Sequence, residues 1–257
     1  MTTQPTSTRK TALRQKIRLI VLFLILITFP ITMNYFSVYL IIEGSAQGTM
    51  TFSFFFWSLF TLTALFFGRA ACGYICPLGA IQETKDRMAT KQLARIKYLK
   101  VVKYVLAAGW VGAIVFAALS AGGYSTINLL YNTASGVSVD SPQSWLTYSM
   151  IVLIILLPAF FIGERGFCHY FCPWGVLNMV ATRIKDFFRW PSLHLETATE
   201  KCQQCHTCDR NCPMSLEISK MVQAGSMKNS ECILCGTCAD NCPNGVITYS
   251  WNRPQRT

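Results

Sequence analysis

Twelve cysteines dominate the chemistry available to this chain of 257 residues. Eight fall in two runs, CQQCHTCDRNCP from Cys202 to Pro213 and CILCGTCADNCP from Cys232 to Pro243. Each reads C-x2-C-x2-C-x3-C-P, the bacterial spacing for wrapping a 4Fe–4S cluster. Zinc sites also use four cysteines, but usually as two separated pairs, so tandem runs of this form point to iron–sulfide cores. In two-cluster arrangements the fourth cysteine of each run ligates the other cluster. The pattern predicts Cys202, Cys205, Cys208 and Cys242 around one cluster, and Cys232, Cys235, Cys238 and Cys212 around the other. The chemistry expected of them is one-electron transfer. His206 stands at a non-ligand spacing and is not expected to bind.

The other four cysteines lie in two matched blocks, RAACGYICPLG from Arg69 to Gly79 and RGFCHYFCPWG from Arg165 to Gly175. Arginine, cysteine, tyrosine, cysteine, proline and glycine recur at a constant offset of 96 residues. C-x3-C-P is the back half of the longer run, so each block offers two ligands and the pair offers four. Two readings stay open for Cys72, Cys76, Cys168 and Cys172. They hold a third centre, iron–sulfur or another metal, shared between the blocks, or they are buried structural or redox thiols without metal.

The elements that must position these residues are apolar. The chain is 52% hydrophobic and 14% charged, with a mean hydropathy of +0.34. Leu19–Ile42, Gly44–Gly68, Tyr104–Val139 and Ser141–Gly163 carry no charged residue. A helix crosses the hydrocarbon with about 20 apolar residues, which predicts spans near 18–42, 50–68, 102–121 and 144–162. Pro30 and Pro158 are expected to bend theirs. Because the blocks follow the second and fourth spans, the expected fold is a multi-pass α-helical membrane protein of two repeated hairpins. A C-terminal α+β ferredoxin-like domain with two clusters completes it. The expected units are a basic N-terminus (1–17), the first hairpin with its block (18–98), the second (99–192) and the cluster domain (193–257). Within the last, Met214–Ala224 reads as a helix and Gly245–Tyr249 as a strand.

Charge fixes the expected orientation. Arg9, Lys10, Arg14, Lys16 and Arg18 precede the first span, and Arg69, Lys85, Arg87, Lys91, Arg95, Lys97 and Lys100 separate the second from the third. Arg165, Arg183, Lys185 and Arg189 follow the fourth, while the two remaining loops offer only Glu43 and Asp140. The positive-inside rule then puts both termini in the cytoplasm, as expected at a bacterial inner membrane. The first span is too long for a signal-peptide core and is expected to stay attached. The net charge of +11 belongs to these flanks and to anionic headgroups rather than to nucleic acid. A reducing compartment favours metal ligation over disulfides. Ile81, Met88, Leu93 and Ile96, and again Val180, Ile184, Phe187 and Phe188, punctuate basic segments expected to lie as helices on the membrane face.

Four spans, paired C-x3-C-P blocks and a twin-cluster tail resemble the NapH/MauN type of membrane ferredoxin, the quinol dehydrogenase membrane component of periplasmic nitrate reductase systems. The resemblance covers roughly residues 17 to 250, and similar blocks occur in the larger NosR proteins and the CcoG group. It implies an electron-transfer subunit of an oxidoreductase complex rather than a stand-alone enzyme, linking the quinone pool to a redox partner such as a reductase, iron–sulfur or cytochrome subunit. Quinol would then bind near the repeated cysteines. His169, Tyr74 and Tyr170 are the candidates, the imidazole as proton acceptor and the phenols as hydrogen-bond partners. For Tyr170 and Trp174 an interfacial aromatic belt is the favoured alternative, and Arg69 and Arg165 read as topology anchors or partners of cluster charge. Two other readings remain open: a membrane reductase serving metalloenzyme maturation, for copper or an oxidase, and a docking scaffold. His169, His194 and His206 all follow the last span, which argues against a bis-histidine haem b, and no glycine-rich dinucleotide fingerprint occurs.

Overall fold

A computed structural model describes residues 13–88, 96 and 98–253, with only the backbone described over 85–88. Arg9, Lys10, Lys91, Leu93, Arg95 and Lys97 lie outside the described residues, as do the side chains of Lys85, Arg87 and Met88.

The first apolar run forms α1 (Leu13–Thr32), which contains Pro30. Proline has no N–H to continue the ladder, and within one turn the chain tightens into a 3₁₀ segment over Met33–Phe36. Ser37 restarts it, its hydroxyl accepting from the Leu40 N–H at the head of α2 (Val38–Ala46). A short strand β1 (Thr49–Thr51) leads into α3 (Phe52–Phe67), capped by the Thr51 hydroxyl. Two short helices follow: α4 (Ala70–Tyr74) carries the first block, and α5 (Pro77–Met88) starts on that block's proline. The second half runs through α6 (Leu99–Ser120), β2 (Thr126–Asn128) and α7 (Pro142–Phe161). Its own block lies in α8 (Gly166–Tyr170) and opens α9 (Pro173–Phe188). Proline at the first helical position costs nothing, since that N–H is unpaired in any helix.

Among the described residues, three stretches are long and apolar enough to cross a membrane: Leu13–Ala46, Leu99–Ser120 and Pro142–Phe161. The second expected span, 50–68, is realised as α3, a helix of 16 residues. At 1.5 Å per residue that is about 24 Å, short of the roughly 30 Å hydrocarbon core. Apolar side chains such as Phe23 on α1, Leu59 on α3, Phe116 on α6 and Leu153 on α7 are exposed, as a lipid-facing surface requires.

Two contacts define the ends of the assembly. β1 and β2 pair in parallel, Thr49 opposite Thr126 and Thr51 opposite Asn128, joining the loops that follow α2 and α6. At the other end the heads of α1 and α6, both cysteine blocks and the tail meet. Arg18 donates to the Gly73 carbonyl at 2.9 Å, and Arg69 donates to that of Ser230 at 3.0 Å.

The tail pairs β3 (His194–Thr197) with β4 (Ile247–Ser250), antiparallel, around the short helices α10 (Thr207–Arg210), α11 (Ile218–Gln223) and α12 (Thr237–Asp240). Its core gathers Leu195, Met214, Ile218, Val222, Ile233 and Ile247, and Ala70 and Cys72 of the first block pack against it. The expected helix 214–224 is thus confined to Ile218–Gln223, and the strand begins at Ile247. Ile81, expected on a membrane-facing helix, is instead buried with Phe29 and Ile155, because α5 packs between α1 and α7. α9 does leave Val180, Ile184, Phe187 and Phe188 exposed.

Candidate metal centres

The tail cysteines fall into two sets. Cys202, Cys205, Cys208 and Cys242 line one pocket, with Pro243 and Val246. Cys212, Cys232, Cys235 and Cys238 line the other. Each pocket therefore takes three cysteines from one run and the fourth from its neighbour. The cause is local: α10 and α12 place each C-x3-C step on a single turn, and the turn's last cysteine faces away from its own run. Among the described residues no three His, Cys, Asp or Glu side chains close on a single metal ion. The four-cysteine sets surround pockets rather than a point, as a four-iron core requires.

Cys72, Cys76, Cys168 and Cys172, two from each block, come together as neighbours. Burial raises the Cys76 pKa, and the neighbouring Cys72, Cys168 and Cys172 raise it further. Burial also pushes Cys172 up to about 12, and in the tail Cys212 to about 12 and Cys232 to about 11. A coordinating metal removes the protons of such buried thiols outright.

Hydrogen-bond donors surround the sulfurs. Gln82 Nε2 donates to Cys168 Sγ at 2.9 Å and Asn178 Nδ2 to Cys72 Sγ at 3.4 Å. Each amide reaches the cysteine of the opposite block, and the two amides stand 96 residues apart, the offset of the blocks themselves. The Gly175 N–H points at Cys172 Sγ, that of Leu216 at Cys212 Sγ and that of Val246 at Cys242 Sγ. The glycines cross over as well. A Cβ on Gly79 would stand 3.0 Å from Arg165 Nη1, and one on Gly175 would stand 3.3 Å from Arg69 Nη2.

Both arginines are buried. Arg165 donates to the Cys72 carbonyl at 3.2 Å and to Glu83 at 3.0 Å, and Arg69 donates to Glu231 at 3.2 Å. Glu83 also takes two bonds from Arg18, at 2.7 and 3.1 Å. Lys103 joins Arg69 on Glu231, the residue before Cys232. Gln82, Asn178, Glu83, Glu231 and Lys103 escaped the reading of the sequence. Only the first two had a visible signal, as an amide pair aligned by the repeat.

The three quinol candidates separate. Tyr170 is fully buried and its hydroxyl accepts the Ile96 N–H. Tyr74 donates to the Cys235 carbonyl at 3.2 Å. His169 alone lines an open pocket, with Lys100, Met214, Leu216 and Glu231, and its Nδ1 has no partner among the described residues. Burial takes its imidazole down to about 4 against the opposing pull of Glu231, so it does not titrate near neutrality as its ordinary value suggests. Trp174 is not in an interfacial belt. It is buried beside Cys76 and Cys172, with its ring 4.6 Å from Trp57 and 4.7 Å from Trp110, because the Cys172–Pro173 turn sends α9 back between α3 and α6.

Comparison with known proteins agrees with this chemistry. Residues 49–93 and 144–191 match the family described as 4Fe-4S binding domain, and residues 201–247 match that described as 4Fe-4S dicluster domain. The chain is 23% identical over 182 residues to YccM of Escherichia coli, covering 68% of this chain and 49% of that protein. It is 27% identical over 189 residues to NirI of Paracoccus denitrificans (70% and 26%), and 24% identical over 188 residues to the regulatory protein NosR of Pseudomonas aeruginosa (70% and 24%). It thus spans about half the length of the first relative and about a quarter of the others. No solved structure matches it. Both matching families are described by 4Fe–4S binding: this is an iron–sulfur protein with helices of membrane-spanning length.

Proposed function

We propose that the chain is a membrane-anchored relay passing single electrons between the quinol pool and a redox partner. The observation that carries this reading is the convergence of all twelve cysteines into three sets of four. Cys202, Cys205, Cys208 and Cys242 would hold one cluster, and Cys232, Cys235, Cys238 and Cys212 a second. Cys72, Cys76, Cys168 and Cys172 would share a third between two repeated hairpins, α3 completing the first. The bound clusters would supply one-electron storage at potentials set by burial and by hydrogen bonds to sulfur.

The chain's own residues do the rest. Gln82 and Asn178 orient the cysteines of the opposite block and, with Arg69 and Arg165, offset thiolate charge. The apolar wall of Trp57, Trp110 and Trp174 keeps water from Cys76 and Cys172. His169, neutral at pH 7, accepts a hydrogen bond from a quinol hydroxyl in the pocket it lines. On the positive-inside rule, this end of the assembly and both termini would face the cytoplasm, as at a bacterial inner membrane. YccM is named for electron transport and NosR for regulation; the NapH/MauN-type quinol dehydrogenase component is the finer reading adopted here. Anaerobically purified protein should contain about twelve iron and twelve acid-labile sulfide per chain, four per set. About eight, unchanged in the Cys72→Ala/Cys168→Ala variant, would remove the shared centre. Clusters in native membranes that dithionite reduces and quinol does not would remove the quinol.

A further inference from the structure

The two tail runs have the same cysteine spacing but opposite surroundings. In the first, Gln203, Gln204, Cys205 and His206 are all exposed. In the second, the equivalent Ile233, Leu234, Cys235 and Gly236 are all buried. What covers the second run is the cysteine-bearing end of the membrane half. A Cβ on Gly73 would stand 2.7 Å from the Ile233 carbonyl oxygen and 3.6 Å from the Cys235 Cα, so only glycine allows this approach. Gly73 follows Cys72 directly, which sets the shared cysteine set against the second-run loop by backbone contact. Gln15 and Tyr74 both donate to the Cys235 carbonyl, at 2.9 and 3.2 Å. Glu231, one residue before Cys232, is clamped by Arg69 and Lys103. No comparable set of bonds reaches the first run among the described residues.

From this geometry we infer the order of the relay. The set of Cys232, Cys235, Cys238 and Cys212 is proximal to the membrane, and that of Cys202, Cys205, Cys208 and Cys242 is distal. The loop bearing Cys205 is the surface at which a soluble one-electron carrier exchanges with the protein. The inference rests on the relay proposed above and adds its sequence. Each transfer moves one electron, with no bond made and no proton moved between sets: the donor set is oxidised by one electron and the acceptor set reduced by one. A quinol supplies two electrons in succession and releases its protons at its own site. The residues x-x within each run, Gln203–Gln204 against Ile233–Leu234, already carry the distinction.

Two measurements test it. In the intact protein reduced with dithionite, a chelated dysprosium ion added to the aqueous phase should speed the electron-spin relaxation of the distal cluster and leave the proximal one little changed. The signals are assigned with Cys202→Ala/Cys205→Ala and Cys232→Ala/Cys238→Ala variants, each retaining the iron of its other sets. Equal effects on both, or a larger effect on the proximal signal, would overturn the order. In membranes given quinol, the first variant should still reduce its remaining tail cluster, and the second should lose that reduction while dithionite still achieves it. The reverse pattern also overturns the order. If quinol reduces no cluster even in the unaltered protein, the quinol reading fails, and the dysprosium result alone decides the order.

Discussion

Glu83→Gln probes the buried charge cluster that joins the two halves. The carboxylate of Glu83 accepts from Arg18 on α1 and from Arg165 before α8, so one anion compensates two guanidiniums that are 3% and 0% exposed. The amide is isosteric and keeps one acceptor oxygen, but it removes the charge and leaves both cations buried. Breaking a buried ion pair by removing one partner costs about 3–5 kcal/mol. For a chain of this length each kcal/mol lowers the melting temperature by about 2–4 °C, so the loss should be roughly 6–20 °C. Tryptophan fluorescence during heating in detergent reports it, with iron content measured in parallel to show that the starting state is the same. A variant that melts within about 2 °C of the parent would mean that water already screens Arg18 and Arg165, and the reasoning would be wrong. The corresponding position of the second half, 96 residues on, is Met179, which Lys103 contacts while taking its carboxylate from Glu231 of the tail.

The same carboxyl predicts a pH dependence. Burial raises the Glu83 pKa, but Arg165 and Arg18 outweigh it and hold the group below the usual carboxylate range. Its folded value therefore lies below the unfolded one of about 4.3. The stabilisation is full above that unfolded value and is lost as pH falls through the folded one. The gap in melting temperature between the parent and Glu83→Gln should accordingly be constant near neutrality and shrink in acid; a gap that widens in acid refutes the assignment. Trp174→Ala should cost about 3–5 kcal/mol by opening a cavity against Trp57 and Trp110, seen as a lower melting temperature and faster loss of iron in air. Unchanged melting and iron retention would return Trp174 to a peripheral role.

The cysteine spacing groups the tail sulfurs as the two pockets do, because a C-x3-C step needs only a helical turn to send its last sulfur away. Three of the long apolar stretches were legible by length alone. The stop at Thr32 and restart at Ser37 were only half signalled, by Pro30, since the 3₁₀ segment between them depends on packing under α3. The β1–β2 pairing was invisible, because three-residue strands 77 positions apart leave no alternation to read. The burial of Trp174 and Ile81 was misread for one reason. An aromatic or aliphatic residue beside basic ones looks interfacial until the chain is seen to turn back into the bundle. The lowered imidazole pKa of His169 likewise comes from a roof supplied by the tail, more than forty residues later in the chain.

The crossed amides have a consequence for how the protein is made. Cys72 and Cys76 emerge from the ribosome with the first half, but the donor to Cys72, Asn178, arrives only with α9. Gln82, conversely, waits for Cys168. Neither half can finish its own thiol environment, so the donors to Cys72 and Cys168 are in place only once both halves have been made and packed together.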